Sequence, residues 1–127
     1  MGRSAMKRII ILNEELETQM RMYLALSTRY KVEIAEDEAM LMRMIRRKKP
    51  RLIFLDGEYS GYSREGKSIT KTVQKIKKKY HELQVISIMN TRTKGAANSD
   101  RILYHPFDES DIQKAVQALL ELSPVPG

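Results

Sequence analysis

The sequence predicts a doubly wound α/β domain with five parallel strands, and three observations carry that prediction. Short β-branched apolar runs alternate with segments of helical period, the pattern of βα repeats. The run Leu52-Ile53-Phe54-Leu55 is continuously apolar after Arg51, as a central strand buried on both faces must be. Three apolar runs also stop abruptly: Ile9 to Leu12 at Asn13-Glu14-Glu15, Leu52 to Leu55 at Asp56, and Ile102 to Tyr104 at His105-Pro106. In neighbouring parallel strands these polar stops lie along one sheet edge, where open α/β folds build their sites.

At 127 residues the chain fits one domain, since a chain of this size buries roughly two thirds of the surface it exposes when unfolded. Its 42% hydrophobic and 31% charged residues are ordinary for a soluble globular protein. No apolar run approaches the ~20 residues that a membrane span needs. The opening Met1-Gly2-Arg3-Ser4-Ala5-Met6 has no apolar signal-peptide core. With no cysteine, disulfides, thiolate metal sites and cysteine nucleophiles drop out together, and the cytoplasm is the expected compartment. The formal charge of +7, from 23 Lys+Arg against 16 Asp+Glu, fits an acidic partner, nucleic acid or anionic lipid, and equally a well solvated surface.

The domain is expected over residues 7–121, with flexible termini at 1–6 and 122–127; the Ser-Pro-Val-Pro-Gly tail reads as a chain end or a lead into another domain. Residues 8–12 form the first strand. Residues 15–28 follow as a helix in which Leu16, Met20, Tyr23, Leu24 and Ser27 fall at helical spacing. Val32, Ile34 and Ala35 make the second strand. Glu36-Asp37-Glu38 and Arg46-Arg47-Lys48-Lys49 then place negative charge on the first turn and positive charge on the last turn of a second helix, and Pro50 ends it. The third strand spans 51–55. After it comes a polar loop punctuated by Gly57, Gly61 and Gly66, then a helix over 68–80 with Ile69, Val73, Ile76 and Tyr80 inward and Lys67, Lys71, Lys75, Lys78 and Lys79 on its other face. The fourth strand is 83–89, and residues 90–100 have too little apolar periodicity for a full helix. The fifth strand is 101–104; Asp108 opens a final helix in which Asp111 completes a capping box and Ile112, Ala115, Val116 and Leu119 face inward.

Five βα units in this order, with acidic residues after strand one, Asp after strand three and a residue-Pro-Phe turn after strand five, resemble the receiver domain of bacterial two-component response regulators. The resemblance spans about residues 7–121. It rests on Lys7-Arg8-Ile9-Ile10-Ile11-Leu12-Asn13-Glu14-Glu15, on Arg51-Leu52-Ile53-Phe54-Leu55-Asp56 and on His105-Pro106-Phe107-Asp108. It implies a flavodoxin-like strand order 2-1-3-4-5, with a shortened fourth helix because the stretch between strands four and five is short. It also implies that Asp56 accepts a phosphoryl group from a histidine kinase, while Glu14 and Asp56 hold Mg²⁺, a cation that demands hard oxygen ligands.

The chain departs from that pattern at four places. Asn13 stands where the family has its first acidic residue, which removes a charge from the cation site. The family's hydroxyl residue falls on Met89 without a gap, or on Thr91 if the strand runs longer. Its lysine, a compact permanent cation, is replaced by His105, and an imidazole is mostly neutral at pH 7 unless a carboxylate raises its pKa. Ile102 takes the place of a switching aromatic, with Tyr104 nearby. These departures suggest a degenerate receiver in which phosphoryl transfer is weakened or lost and Mg²⁺ is bound weakly if at all.

The same residues have plainer uses. Asp56 can start the Asp-Gly turn, and Asn13, Glu14 and Glu15 can cap a helix. His105 is either a structural turn residue or a charge partner to Asp56, and His81 reads as a surface residue. The lysine face is solvated surface or an anion-binding face. Met40, Met42 and Met44, with Met20 and Met22, are core filler or an adaptable partner surface. No basic motif interleaved with aromatics and no helix-turn-helix signature favours nucleic acid. There is no P-loop spacing, no Gly-x-Gly-x-x-Gly after the first strand and no nucleophile-elbow serine.

The sequence therefore favours an atypical, non-enzymatic receiver module acting through contacts with a protein partner or a fused output domain. A working phosphoacceptor using Asp56, Glu14 and Mg²⁺ is the second reading. A basic scaffold binding an acidic partner or nucleic acid through Lys67, Lys71 and Lys75 is the third.

Overall fold

A computed structural model describes residues 6–62, 67–90 and 98–121. Its elements alternate as predicted: β1 (Arg8–Leu12), α1 (Leu16–Leu26), β2 (Lys31–Ala35), α2 (Glu38–Lys48), β3 (Leu52–Asp56), α3 (Lys67–Lys79), β4 (Gln84–Met89), β5 (Arg101–Tyr104) and α4 (Glu109–Leu120). The five strands form one parallel sheet in the order β2-β1-β3-β4-β5. The reversal of strand order beside β1 places a crevice at the carboxyl ends of β1 and β3. Residues 91–97, on which the expected shortening of a fourth helix and the candidate Thr91 fall, lie outside the described residues, as do 1–5 and 122–127.

Strand alternation splits the core in two. Ile9 and Ile11 of β1, Leu52 and Phe54 of β3 and Ile86 and Ile88 of β4 pack against Met22, Ala25 and Leu26 of α1 and Ile112, Ala115 and Val116 of α4. Ile10, Leu12, Ile53, Leu55 and Val85 pack on the other face against Leu41 and Ile45 of α2 and Ile69, Val73 and Ile76 of α3. Central β3 is buried at all five positions, and each of its four apolar side chains, Leu52 to Leu55, contributes about 1.5–3 kcal/mol over its exposed state.

Side-chain caps fix where α2 and α4 begin. Asp37 Oδ1 accepts from Met40 N–H at 2.7 Å ahead of α2, and Asp108 and Asp111 close the expected capping box on α4. At its far end α2 stops on Lys49, which has the left-handed φ of 49°. Among the described residues no helix is long and apolar enough to cross a membrane.

The residues at helical spacing in α1 do not mark its core face: Leu16, Met20, Tyr23 and Leu24 are 47–68% exposed, and α1 buries Thr18, Met22, Ala25 and Leu26. The helix carries two apolar stripes, so period alone cannot choose between them. Its rotation is set at the first turn, where the Thr18 hydroxyl donates to the Glu15 carboxylate and Gln19 Nε2 donates to the Asn13 carbonyl at 2.7 Å. Gln113 Nε2, donating to the Ala25 carbonyl at 3.0 Å, holds the same face against α4.

Candidate functional site

The site follows from strand register. Leu12 pairs with Leu55, so one step further along both strands Asn13 comes to stand beside Asp56. Both belong to the face of Ile9, Ile11 and Phe54, whereas Glu14 has the parity of Ile10 and Leu12 and leaves toward the opposite face. Asn13 and Asp56 are buried, at 1% and 8% exposure, and Glu14 is exposed.

Asn13 Nδ2 donates to Asp56 Oδ2 at 2.7 Å, and Asn13 Oδ1 accepts from the Glu15 N–H at 2.7 Å. This pair of bonds fixes the amide with its nitrogen toward the aspartate. The other aspartate oxygen, Oδ1, accepts from the Glu58 N–H at 2.9 Å. Burial pushes the Asp56 carboxyl above the usual carboxylate range; the Glu58 N–H and the charge of His105 oppose that shift, and Glu58 and Glu15 add to it.

Glu14 is engaged elsewhere. Its carboxylate accepts from the Ser60 hydroxyl at 2.7 Å and the Ser60 N–H at 3.3 Å, which ties β1 to the loop after β3. Met89 is buried at the end of β4, and a Cβ on Gly57 would stand 2.7 Å from its sulfur. The His105 N–H donates to the Met89 carbonyl at 3.0 Å, placing the half-buried histidine at the same sheet edge. Its ring lies 4.7 Å from that of Phe107. Arg21 covers Phe107 at 5.3 Å and donates to the Phe107 carbonyl at 3.3 Å.

Sheet order thus gathers Asn13, Asp56, Met89 and His105 at one edge with Glu14 beside them. Lys71 and Lys75 are exposed on α3; the Lys67 side chain and Thr91 lie outside the described residues. The partners supplied by the loop after β3, the Glu58 N–H and Ser60, escaped sequence reasoning. A polar residue two to four positions beyond a strand-ending aspartate is the only signal that could have suggested them.

The donor set fits Mg²⁺ poorly. A divalent cation needs convergent oxygen acceptors, yet the group facing Asp56 is an amide N–H₂, both aspartate oxygens are taken, and Glu14 is bonded to Ser60. Among the described residues no three His, Asp or Glu side chains converge as a metal centre would.

The chain is similar to a response regulator from Thermotoga maritima at 17% identity, covering 91% of this chain and 98% of that one with a TM-score of 0.79. It is similar to the receiver domain of NtrX from Brucella abortus at 22% identity, covering 91% and 99% with a TM-score of 0.77. The chemotaxis response regulator CheY4 of Vibrio cholerae matches at 15% identity over 91% and 100%, TM-score 0.75. The fold is that of a response regulator receiver domain, with the flavodoxin-like order. No family profile and no curated protein matches the sequence.

Proposed function

We propose that this chain is an atypical receiver module, not an enzyme, that signals in the cytoplasm through protein contacts rather than through a phosphorylated aspartate. One observation carries this reading: the hydrogen bond from Asn13 to Asp56 puts a donor where a catalytic cation would need an acceptor. The engagement of Glu14 with Ser60 supports weak or absent Mg²⁺ binding. The replacement of a permanent cation by His105 removes charge that would neutralise a phosphoryl group.

Protein contacts have a surface available. Among the described residues the exposed large hydrophobics, Met6 apart, are Leu16, Met20, Tyr23 and Leu24 of α1, and a contiguous apolar stripe on a soluble domain marks an interaction site. This stripe is assigned to a helix of the protein partner, packed alongside α1. The partner is a separate chain or a fused output domain; a longer NtrX chain from Brucella abortus, matched over 28% of its length, contains such a receiver as one part.

The second reading, a working phosphoacceptor served by a histidine kinase and Mg²⁺, draws support from the place of Asp56 at the carboxyl end of β3. Incubation with acetyl phosphate and Mg²⁺, read by intact mass, separates the two. The native chain should form no adduct, while Asn13→Asp combined with His105→Lys should gain one that Asp56→Asn removes. An Asp56 adduct on the native chain, formed as fast as on the restored variant, would overturn the proposal.

A further inference from the structure

The end of the sheet opposite Asp56 holds a second recess. Between the last turns of α2 and α3, at the amino ends of β3 and β4, lies an open pocket of about 630 Å³, within the size range of small-molecule sites. Two chain reversals build it: residues 49–51 lead from α2 into β3, and residues 80–83 lead from α3 into β4. Ile45, Pro50 and Leu83 are buried and form an apolar floor, with the half-buried Tyr80 ring beside them.

The rim has the opposite character. Arg46, Lys49, Arg51 and His81 stand exposed around the floor, with Glu82 as the one acid. None of the four basic residues makes an ion pair or side-chain hydrogen bond among the described residues, whereas neighbouring cations are neutralised: Arg8 and Lys48 by Glu33, and Lys77 by Asp100. Lys79 adds a cation 5.6 Å from the Tyr80 ring centroid. Lys49 is a further mark. Its φ of 49° is a conformation that glycine adopts freely and an L side chain only at a cost, yet the chain places a lysine there, at the pocket mouth.

We propose that this pocket binds a nucleoside phosphate. The floor, with Tyr80 and Pro50, takes the flat base; Arg46, Lys49 and Arg51 take the phosphate oxygens, for which guanidinium forks are well shaped; and Glu82 accepts from a ribose hydroxyl or an exocyclic amine. An inorganic anion would leave the floor unused, and a neutral aromatic would leave the cations unpaired. The site is independent of the Asp56 edge.

Titration calorimetry of the full chain with ADP, adenosine, inorganic pyrophosphate and a single-stranded oligonucleotide tests this assignment. ADP is expected to bind saturably at one site, more tightly than adenosine or pyrophosphate. Arg46→Ala and Arg51→Ala should each weaken it by about tenfold, the loss of one charge-assisted hydrogen bond. Lys49→Gly should weaken it without lowering the melting temperature, and Asp56→Asn should leave it unchanged. The proposal is overturned by absence of saturable ADP binding, by pyrophosphate binding as tightly as ADP, or by unaltered affinity in the three rim variants. Tighter, steeply salt-dependent binding of the oligonucleotide would also overturn it, because the rim would then serve a nucleic-acid strand.

Discussion

Asn13 Nδ2 lies 2.7 Å from Asp56 Oδ2 and donates to it, so an amide stands against the strand-ending aspartate at the point where register brings β1 and β3 together. Replacing that donor by an acceptor should reverse the preference of the site. Asn13→Asp sets two carboxylates against each other and should cost about 2 kcal/mol without metal. Mg²⁺ should restore most of that loss, while the native chain responds little. Urea midpoints with and without Mg²⁺ measure both; an equal Mg²⁺ response in the native chain would contradict the occlusion of the site.

Asp56 should also impose a pH slope on stability. Burial raises its carboxyl above the ordinary value, which for aspartate is about 3.9. The folded state therefore holds this proton more tightly than the unfolded chain, and stability falls as pH rises between the ordinary value and the raised one, then levels. In Asp56→Asn that fall should be missing. Denaturation midpoints of the two chains across about pH 3 to 7 test this by their difference, since every other titrating group is common to both.

The two stripes of α1 should separate stability from binding. Leu24 is 63% exposed and Leu26 is fully buried. Leu24→Ser should change stability by no more than about 0.5 kcal/mol, and Leu26→Ala should cost about 2–5 kcal/mol. In a complex with a protein partner, Leu16→Ser and Leu24→Ser should each weaken affinity by about tenfold or more. A destabilised Leu24→Ser would mean that the outer stripe is core after all.

Gly57 is required by close approach. A Cβ there would stand 2.7 Å from both the Ile88 carbonyl oxygen and the Met89 sulfur, and Gly57 N–H already donates to that same oxygen at 2.7 Å. The sulfur can move aside, but the backbone oxygen of a central strand cannot. Gly57→Ala should therefore cost about 1–3 kcal/mol, and adding Met89→Ala should not recover it, as chemical denaturation would show.

The strands were readable from the sequence because β-branched runs such as Ile9 to Leu12 and Leu52 to Leu55 serve both faces of a parallel sheet and admit no other period. Resemblance then supplied strand order, and with it the meeting of Asn13, Asp56 and His105. The facing of α1 was not readable, since Leu16-Met20-Leu24 and Met22-Ala25-Leu26 both fit a helical period; the choice depends on Gln19 reaching back to Asn13 and on Thr18 bonding the Glu15 cap. The partner of Glu14 was equally hidden, because its bond to Ser60 joins residues 46 apart in sequence. The recess beneath Arg46, Lys49 and Arg51 exists only once α2 and α3 pack side by side.

An amide NMR titration of the native chain and of Asp56→Asn, first with Mg²⁺ and then with beryllofluoride as a phosphoryl mimic, addresses the occluded aspartate most directly. If Asn13 has closed the site, neither addition produces saturable shifts at Glu14, Asp56 or His105, and the two spectra respond alike. Saturable shifts at those residues in the native chain, lost in Asp56→Asn, would mean that the phosphoryl switch still operates.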